Sequence, residues 1–318
     1  MPNLVHACVT FPGNSDISGF YEDVQQSTLQ WAQKFDLAGT PKAVKQLNSA
    51  KFGWYAAREY PEASFDEIRM VSDLMTWLFT VDDIVDRASI LKDESRTIKK
   101  MLSGFMHILD GNEQAGYEHF LNESLKDVLD RFIQVSPPFL YHQFITYMKW
   151  YIEECGWEVE TQKNGYIPTI GEYMRMRPKT GFHIMFPLVS IFGKIDLPDE
   201  VYQHELVQKT ELVLNLTACL ANDINSLERE LHLSTTGFNL VFIFREHLSM
   251  SIPAAARMVE TQHNDYLDLL DYNRRHMPNF GRRINEQLRK YIDGLFTVIK
   301  ACYDWSVLDT TRYTQFSA

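Results

Sequence analysis

Residues 74–87 read Leu-Met-Thr-Trp-Leu-Phe-Thr-Val-Asp-Asp-Ile-Val-Asp-Arg, a mostly apolar run that ends in three aspartates. An apolar stretch with few breakers reads as a buried helix, and neighbours at i and i+4 share a helix face. Asp82 and Asp86 therefore point the same way, with Asp83 beside them. Carboxylates crowded on a partly buried face repel one another and lose hydration, so they stay ionised only beside a strong cation. Hard divalent ions with oxygen ligands meet that need, and Mg2+ characteristically combines one or two carboxylates with substrate phosphates. The competing reading is a solvated acidic helix end with Arg87 as its local partner.

The rest of the chain bears on that choice. It has 318 residues, 45% of them hydrophobic, including 20 Phe, 15 Tyr and 6 Trp, which is ample for a large core or an aromatic-lined pocket. A net charge of −11 argues against nucleic acid or an anionic membrane surface as partner. An anionic substrate would then need metal ions and a few well-placed arginines. Cys8, Cys155, Cys219 and Cys302 form no CxxC pair and read as reduced thiols of a cytoplasmic protein. The N-terminus lacks a basic, then apolar, signal pattern, and no run is long enough to span a bilayer.

Residues 1–20 hold Pro2, Pro12, Gly13 and Gly19 and read as irregular. Helices are expected over 21–36 and, after Pro41, over 41–59. Ser64 and Glu67 form a capping box at the start of the acidic helix. Further helices are expected over 91–110, ending at Gly111, and 117–134. Another begins at Ser136, read as its cap with proline in the first turn, and continues to about 160. One long helix is expected from Asp199 to Leu231, followed by helices over 238–249, 253–273 and 282–304. No strand alternation, repeat or Gly-rich phosphate loop is visible. The expectation is one all-α domain over 1–318, of about ten or more helices.

The helix expected over 199–231 carries Asn222-Asp-Ile-Asn-Ser226-Leu-Glu-Arg229-Glu230. At helical pitch Asn222, Ser226 and Glu230 fall on one stripe, with Arg229 joining it. All three side-chain oxygens are hard ligands, but one charge among them holds a metal weakly, so further ligands must contribute. An arginine repels a bare cation; beside a metal site it implies a phosphate or diphosphate. The plainer reading, polar residues at a solvated helix end, sits poorly with Asn and Ser in a helix interior.

Asn222-Asp-x-x-Ser226-x-x-x-Glu230 resembles the NSE metal motif of class I terpene synthases, and Asp82-Asp83-x-x-Asp86 resembles their aspartate-rich motif. The likeness extends over about residues 18–316. It includes Tyr60-Pro61, Trp77-Leu-Phe79, Trp157-Glu158, Pro168-Thr169, Glu172-Tyr173-x-x-x-Arg177-x-x-Thr180-Gly181, Asn239-Leu240-Val241, and Trp305 followed by Arg312-Tyr313, as in microbial members. The resemblance implies a helical domain that binds a linear prenyl diphosphate with three Mg2+ ions, acts as a monomer or homodimer, and ionises its substrate to a cyclising carbocation. Farnesyl diphosphate is the default substrate and geranylgeranyl diphosphate the next.

By the same resemblance Asp82 and Asp86, with help from Asp83, hold two ions, and Asn222, Ser226 and Glu230 hold the third. Arg177 corresponds to the diphosphate sensor, Thr180 and Gly181 to the linker and effector, and Arg312 and Tyr313 to a pair closing over the diphosphate from a tail at 306–318. Phe79 and Trp305 are expected to face the cation, against the alternative of core packing. Two departures stand out. Arg229 replaces the usual lysine, which keeps the charge but forks it. Pro178 directly after Arg177 disfavours helical dihedrals at its predecessor and so predicts a helix break, leaving Arg175 as a rival sensor. A chain-elongating prenyltransferase would carry a second aspartate-rich motif in place of Asn222–Glu230, and a non-catalytic helical binding protein would not need the full ligand set.

Overall fold

A computed structural model of the chain describes residue 11 and residues 15–90, 95–112, 119–233 and 238–313, with the backbone alone at 87–90 and 233; every regular element among them is helical. In order they are α1 Tyr21–Lys34, α2 Pro41–Ala50, α3 Phe52–Glu59, α4 Phe65–Ile90, α5 Ser95–Leu109, α6 Phe120–Val135 and α7 Pro138–Lys163. Then follow α8 Ile170–Met176, α9 Phe186–Phe192, α10 Asp199–Tyr202, α11 Glu205–Asn225, α12 Leu227–Leu233, α13 Leu240–Leu248, α14 Ile252–Arg275 and α15 Arg282–Asp304. Tight 3-10 turns at Arg177–Thr180 and His183–Met185 lie between α8 and α9, and a π turn at Trp305–Asp309 extends α15.

α4 is the axis of the arrangement and packs against α1, α3, α6 and α7. The predicted capping box starts it: Ser64 N–H donates to Glu67 Oε2 at 2.8 Å, and Glu67 N–H returns a bond to Ser64 Oγ. Among its described side chains the one fully buried charge, Asp73, is tied across helices. Thr28 of α1 donates to one carboxylate oxygen at 2.8 Å and Arg131 of α6 to the other at 2.9 Å. Trp77 on the same helix is fully buried and donates to the Leu121 carbonyl at 3.0 Å. On α7, Tyr151 OH donates to Leu78 O at 2.9 Å, which fixes the spacing of α4 and α7 along the wall they share.

Several boundaries differ from expectation, each for a local reason. The segment 41–59 is two helices, because Lys51 takes φ +55°, a left-handed value that ends α2 before α3 begins. The cap of α7 is Pro137, with Pro138 in the first turn, and the Ser136 hydroxyl instead donates to Phe132 O at 2.6 Å. The expected helix over 199–231 is three pieces, α10, α11 and α12, the last break falling at Ser226. Helix α8 ends before Pro178 as predicted, yet Arg177 keeps helical dihedrals (φ −52°, ψ −38°). The proline acts through its missing N–H and tightens the chain into a 3-10 turn instead of displacing its neighbour. Residues 91–94, 117–118, the first ten residues, Cys8, the Arg87 side chain and 314–318 lie outside the described residues. Cys155, Cys219 and Cys302 are buried and unpaired.

Candidate active site

The helices enclose a cavity of about 1240 Å³, mouth included, walled by α3, α4, α7, the 177–185 segment, α11, α12 and the tail after α15. Its deep part is apolar, with Met75, Leu78, Phe79, Phe182, Ile184 and Met185 among its walls. Its mouth is charged. Asp82, Asp83 and Asp86 bring carboxylate oxygens within 4.8 Å of one another, a spacing one divalent ion can bridge. Across from them Asn222, Ser226, Arg229 and Glu230 line the cavity, although the helix carrying them is interrupted. The break at Ser226 lets its hydroxyl donate to Glu230 Oε1 at 2.5 Å, so two of the three oxygen donors remain adjacent.

Arginines take up the charge of the aspartates. Arg312 donates to Asp83 at 2.7 and 3.2 Å and to Asp82 at 3.3 Å, and its guanidinium lies 4.9 Å from the centre of the Phe79 ring. Arg229 donates to Asp83 at 3.0 Å and to Asp86 at 3.3 Å. Burial still outweighs these pairings. Desolvation, with Asp82 adding repulsion, lifts Asp86 to about 7, and desolvation, with Asp223 adding repulsion, lifts Glu230 to about 8. Carboxyls that resist ionisation although arginines reach Asp86 fit the hard-oxygen chemistry of a divalent cation site.

Arg177 is anchored differently. Its guanidinium donates to Asp223 at 3.0 and 3.2 Å, to Asn222 Oδ1 at 2.9 Å and to Thr180 Oγ1 at 3.2 Å. Arg175, the rival, is exposed and does not line the cavity. Tyr313 accepts a bond from Asn222 Nδ2 at 3.3 Å, which links the tail to α11. Gly181 and Thr180 both line the cavity. Trp305 does not. It is 1% exposed, stacks on Tyr55 at 4.6 Å and 10°, sits 5.5 Å from Phe79 and donates to Ala50 O at 2.8 Å. It therefore stands behind the two rings that do face the cavity.

Three residues that organise the site were given no role by stripe arithmetic. Asp223, next to Asn222 but a third of a turn away, is buried and accepts from Tyr173, Arg177 and the Leu240 N–H. Asn239 caps α13 and donates to Asp223 O at 2.7 Å and to Glu230 Oε2 at 3.0 Å, joining the Asp223 and Glu230 segments to one helix start. Glu158 on α7 lines the cavity and is held by Gln162 at 2.8 Å; burial first, then Asp86 and Asp82, push its carboxyl up. A polar residue just before the apolar run at 240–244 was the available signal for Asn239.

The sequence profile of the terpene synthase family 2, C-terminal metal-binding domain, matches residues 73–268, the span that holds both acidic groups. The chain belongs to this family and is a microbial class I terpene synthase, a lyase. It is 30% identical over 296 residues to a 10-epi-cubebol synthase of Sorangium cellulosum, covering 90% of this chain and 91% of that one. It is 29% identical over 308 residues to a (+)-T-muurolol synthase of Roseiflexus castenholzii that cyclises (2E,6E)-farnesyl diphosphate, covering 96% and 93%. Among solved structures, a linalool/nerolidol synthase of Streptomyces clavuligerus shares the fold with a TM-score of 0.83 at 17% identity, over 93% of this chain and 100% of that one.

The position of Trp305 yields an expected outcome. Trp305→Ala removes a buried ring and its hydrogen bond to Ala50, and should cost about 3–5 kcal/mol of stability, read as a fall in the urea midpoint. A variant as stable as the parent would mean that the ring is not part of the packed wall.

Proposed function

We propose that the chain is a cyclase of farnesyl diphosphate, requires Mg2+, and releases diphosphate as it forms a cyclic terpene. The observation that carries this reading is one cavity with an apolar interior and a mouth bearing two oxygen-ligand groups together with Arg177, Arg229 and Arg312. Asp82, Asp83 and Asp86 on one side, and Asn222, Ser226 and Glu230 on the other, would hold the metal. Bound there, Mg2+ supplies Lewis-acid neutralisation of charge on the diphosphate oxygens.

The protein's own groups do the remainder. Arg177 is preorganised by Asp223 and meets the diphosphate with a forked donor pair. Arg229 and Arg312, which neutralise the aspartates here, would be free to turn toward the anion once the carboxylates held a metal ion. Tyr313 and the tail after α15 then close over it. The apolar walls keep water from the allylic cation left when the C–O bond ionises. The Phe79 and Tyr55 ring faces stabilise positive charge at about 0.5–2 kcal/mol per contact. A chain-elongating prenyltransferase fits less well, since the second ligand group is Asn, Ser and Glu rather than a second set of aspartates.

Incubation with geranyl, farnesyl and geranylgeranyl diphosphates, with gas chromatography–mass spectrometry of the extract, tests the reading. Cyclic fifteen-carbon products are expected from farnesyl diphosphate alone, and they should vanish on chelation or in Asp82→Ala. Turnover that survives chelation would overturn the metal assignment, and condensation of two diphosphates would favour the prenyltransferase.

The raised carboxyls give a pH dependence with a definite sign. In the metal-free protein the folded values of Asp86 and Glu230, about 7 and 8, lie above their unfolded ones. Their contribution to stability is full below about pH 4, the unfolded range, and is lost as pH rises through 7–8. Metal binding needs the ionised forms, so affinity for Mg2+ with diphosphate should rise over the same window and binding should release protons. Calorimetry in buffers of different ionisation enthalpy measures that release; proton uptake would contradict it.

Phe79→Ala should alter what is made more than how fast diphosphate leaves, because metal ligands and arginines start ionisation while the ring acts on later cations. An increase in acyclic and singly cyclised products is expected, read against diphosphate release on the same sample. An unchanged product ratio would assign Phe79 to packing.

A further inference from the structure

The segment between Arg177 and Phe182 is bent where a helix would continue, and one buried side chain of α11 occupies the bend. In an α-helix the N–H of Phe182 would donate to the carbonyl of Pro178, four residues earlier. Here the amide of Asn215 stands between them. Its Oδ1 accepts from Phe182 N–H at 2.6 Å and its Nδ2 donates to Pro178 O at 2.7 Å. Nδ2 also lies 2.7 Å from Nδ1 of His183. The Phe182 N–H fixes which end of the amide is oxygen, and His183 Nδ1 lies within reach of both that Nδ2 and, at 3.2 Å, the Pro178 carbonyl. Burial lowers His183 to about 4 and keeps that ring neutral. Asn215 is 0% exposed, and a buried amide of this kind is tolerated because its groups are bonded.

The same amide accounts for Gly181. A Cβ there would lie 2.1 Å from Asn215 Oδ1 and 2.7 Å from Cys219 Sγ, distances no side chain can adopt. Glycine at 181 and asparagine at 215 are therefore one device: the side chain stands in for a missing helical hydrogen bond, and the glycine makes room for it.

We propose that Asn215 is a positioning residue for cyclisation, holding the 178–182 bend so that Thr180, Gly181, Phe182 and Ile184 present a fixed wall to the cation. The proposal rests on the cyclase reading above. Arg177 is held chiefly by Asp223 and Asn222, with a single bond at 3.2 Å to Thr180 in the bend, so the bend shapes the reacting end of the cavity more than the anion end. Without the bridge, the Phe182 N–H loses its acceptor and Pro178 O keeps only a 3.3 Å bond from Gly181 N–H and its contact with His183 Nδ1, so the segment is drawn back toward continuous helix and the wall moves.

Asn215→Leu, similar in volume but unable to bond, tests this. Hydrogen exchange followed by mass spectrometry of peptides covering 178–185 should speed up in the variant. Calorimetric affinity for inorganic diphosphate with Mg2+ should stay within about twofold of the parent. With farnesyl diphosphate, kcat should fall about 10–100-fold at nearly constant KM, and the product mixture should move toward acyclic and early-quenched compounds. Asn215→Asp keeps the acceptor for Phe182 and loses the donor to Pro178, and should fall between. The cost of Gly181→Ala should be smaller in an Asn215→Ala background than in the parent, a coupling that packing elsewhere would not produce. A lowered melting temperature with parental product ratio, kcat and coupling-free additivity would make Asn215 merely structural and overturn the proposal. Unchanged exchange at 178–185 would overturn it as well. If the parent itself converts no prenyl diphosphate, the cyclase reading fails while the exchange and coupling results still judge the bridge.

Discussion

Everything at the mouth of the cavity depends on three carboxylates that the fold keeps partly out of water. Asp82, Asp83 and Asp86 lie in the last third of a helix packed against five neighbours, so they cannot separate to relieve their repulsion. Two arginines from distant parts of the chain, Arg229 and Arg312, converge on Asp83 as counterions. These arginines are also the groups best shaped to grip a phosphate. The same two guanidiniums thus neutralise the acids and stand where an anion at the mouth would meet them.

The functional groups cluster where helices are interrupted. The chain breaks at Pro178–Gly181, at Ser226 and at the π turn of Trp305–Asp309, and each break brings side chains to the cavity that a continuous helix would carry past it. The interruptions are held by tertiary partners. Asp223 joins Tyr173, Arg177 and the start of α13; Asn239 ties Glu230 to the same start; Arg58 grips Asp309 below the tail. The scaffold thus spends buried polar bonds on the segments where regular structure gives way.

Apolar and charged halves of the cavity are joined through Phe79. Its ring forms part of the wall, lies under the Arg312 guanidinium and rests against Trp305, which in turn stacks on Tyr55. The aromatic stack connects tail, acidic helix and α3, so the position of Arg312 and the shape of the wall are set together.

The sequence by itself determined the helical class, the capping box at Ser64, the acidic cluster on α4 and the grouping of Asn222, Ser226 and Glu230, because each rests on contacts within a few residues of chain. It could not decide that Lys51 divides 41–59, that Ser226 interrupts its helix, or that Trp305 stands behind Phe79 instead of beside it. Nor did it assign Asp223, Asn239 or Asn215, since a buried polar residue acquires its role from partners many residues away. Helical periodicity reports which face a residue occupies; only tertiary packing decides what that face meets, because desolvation and hydrogen-bond satisfaction are settled between elements and not within them.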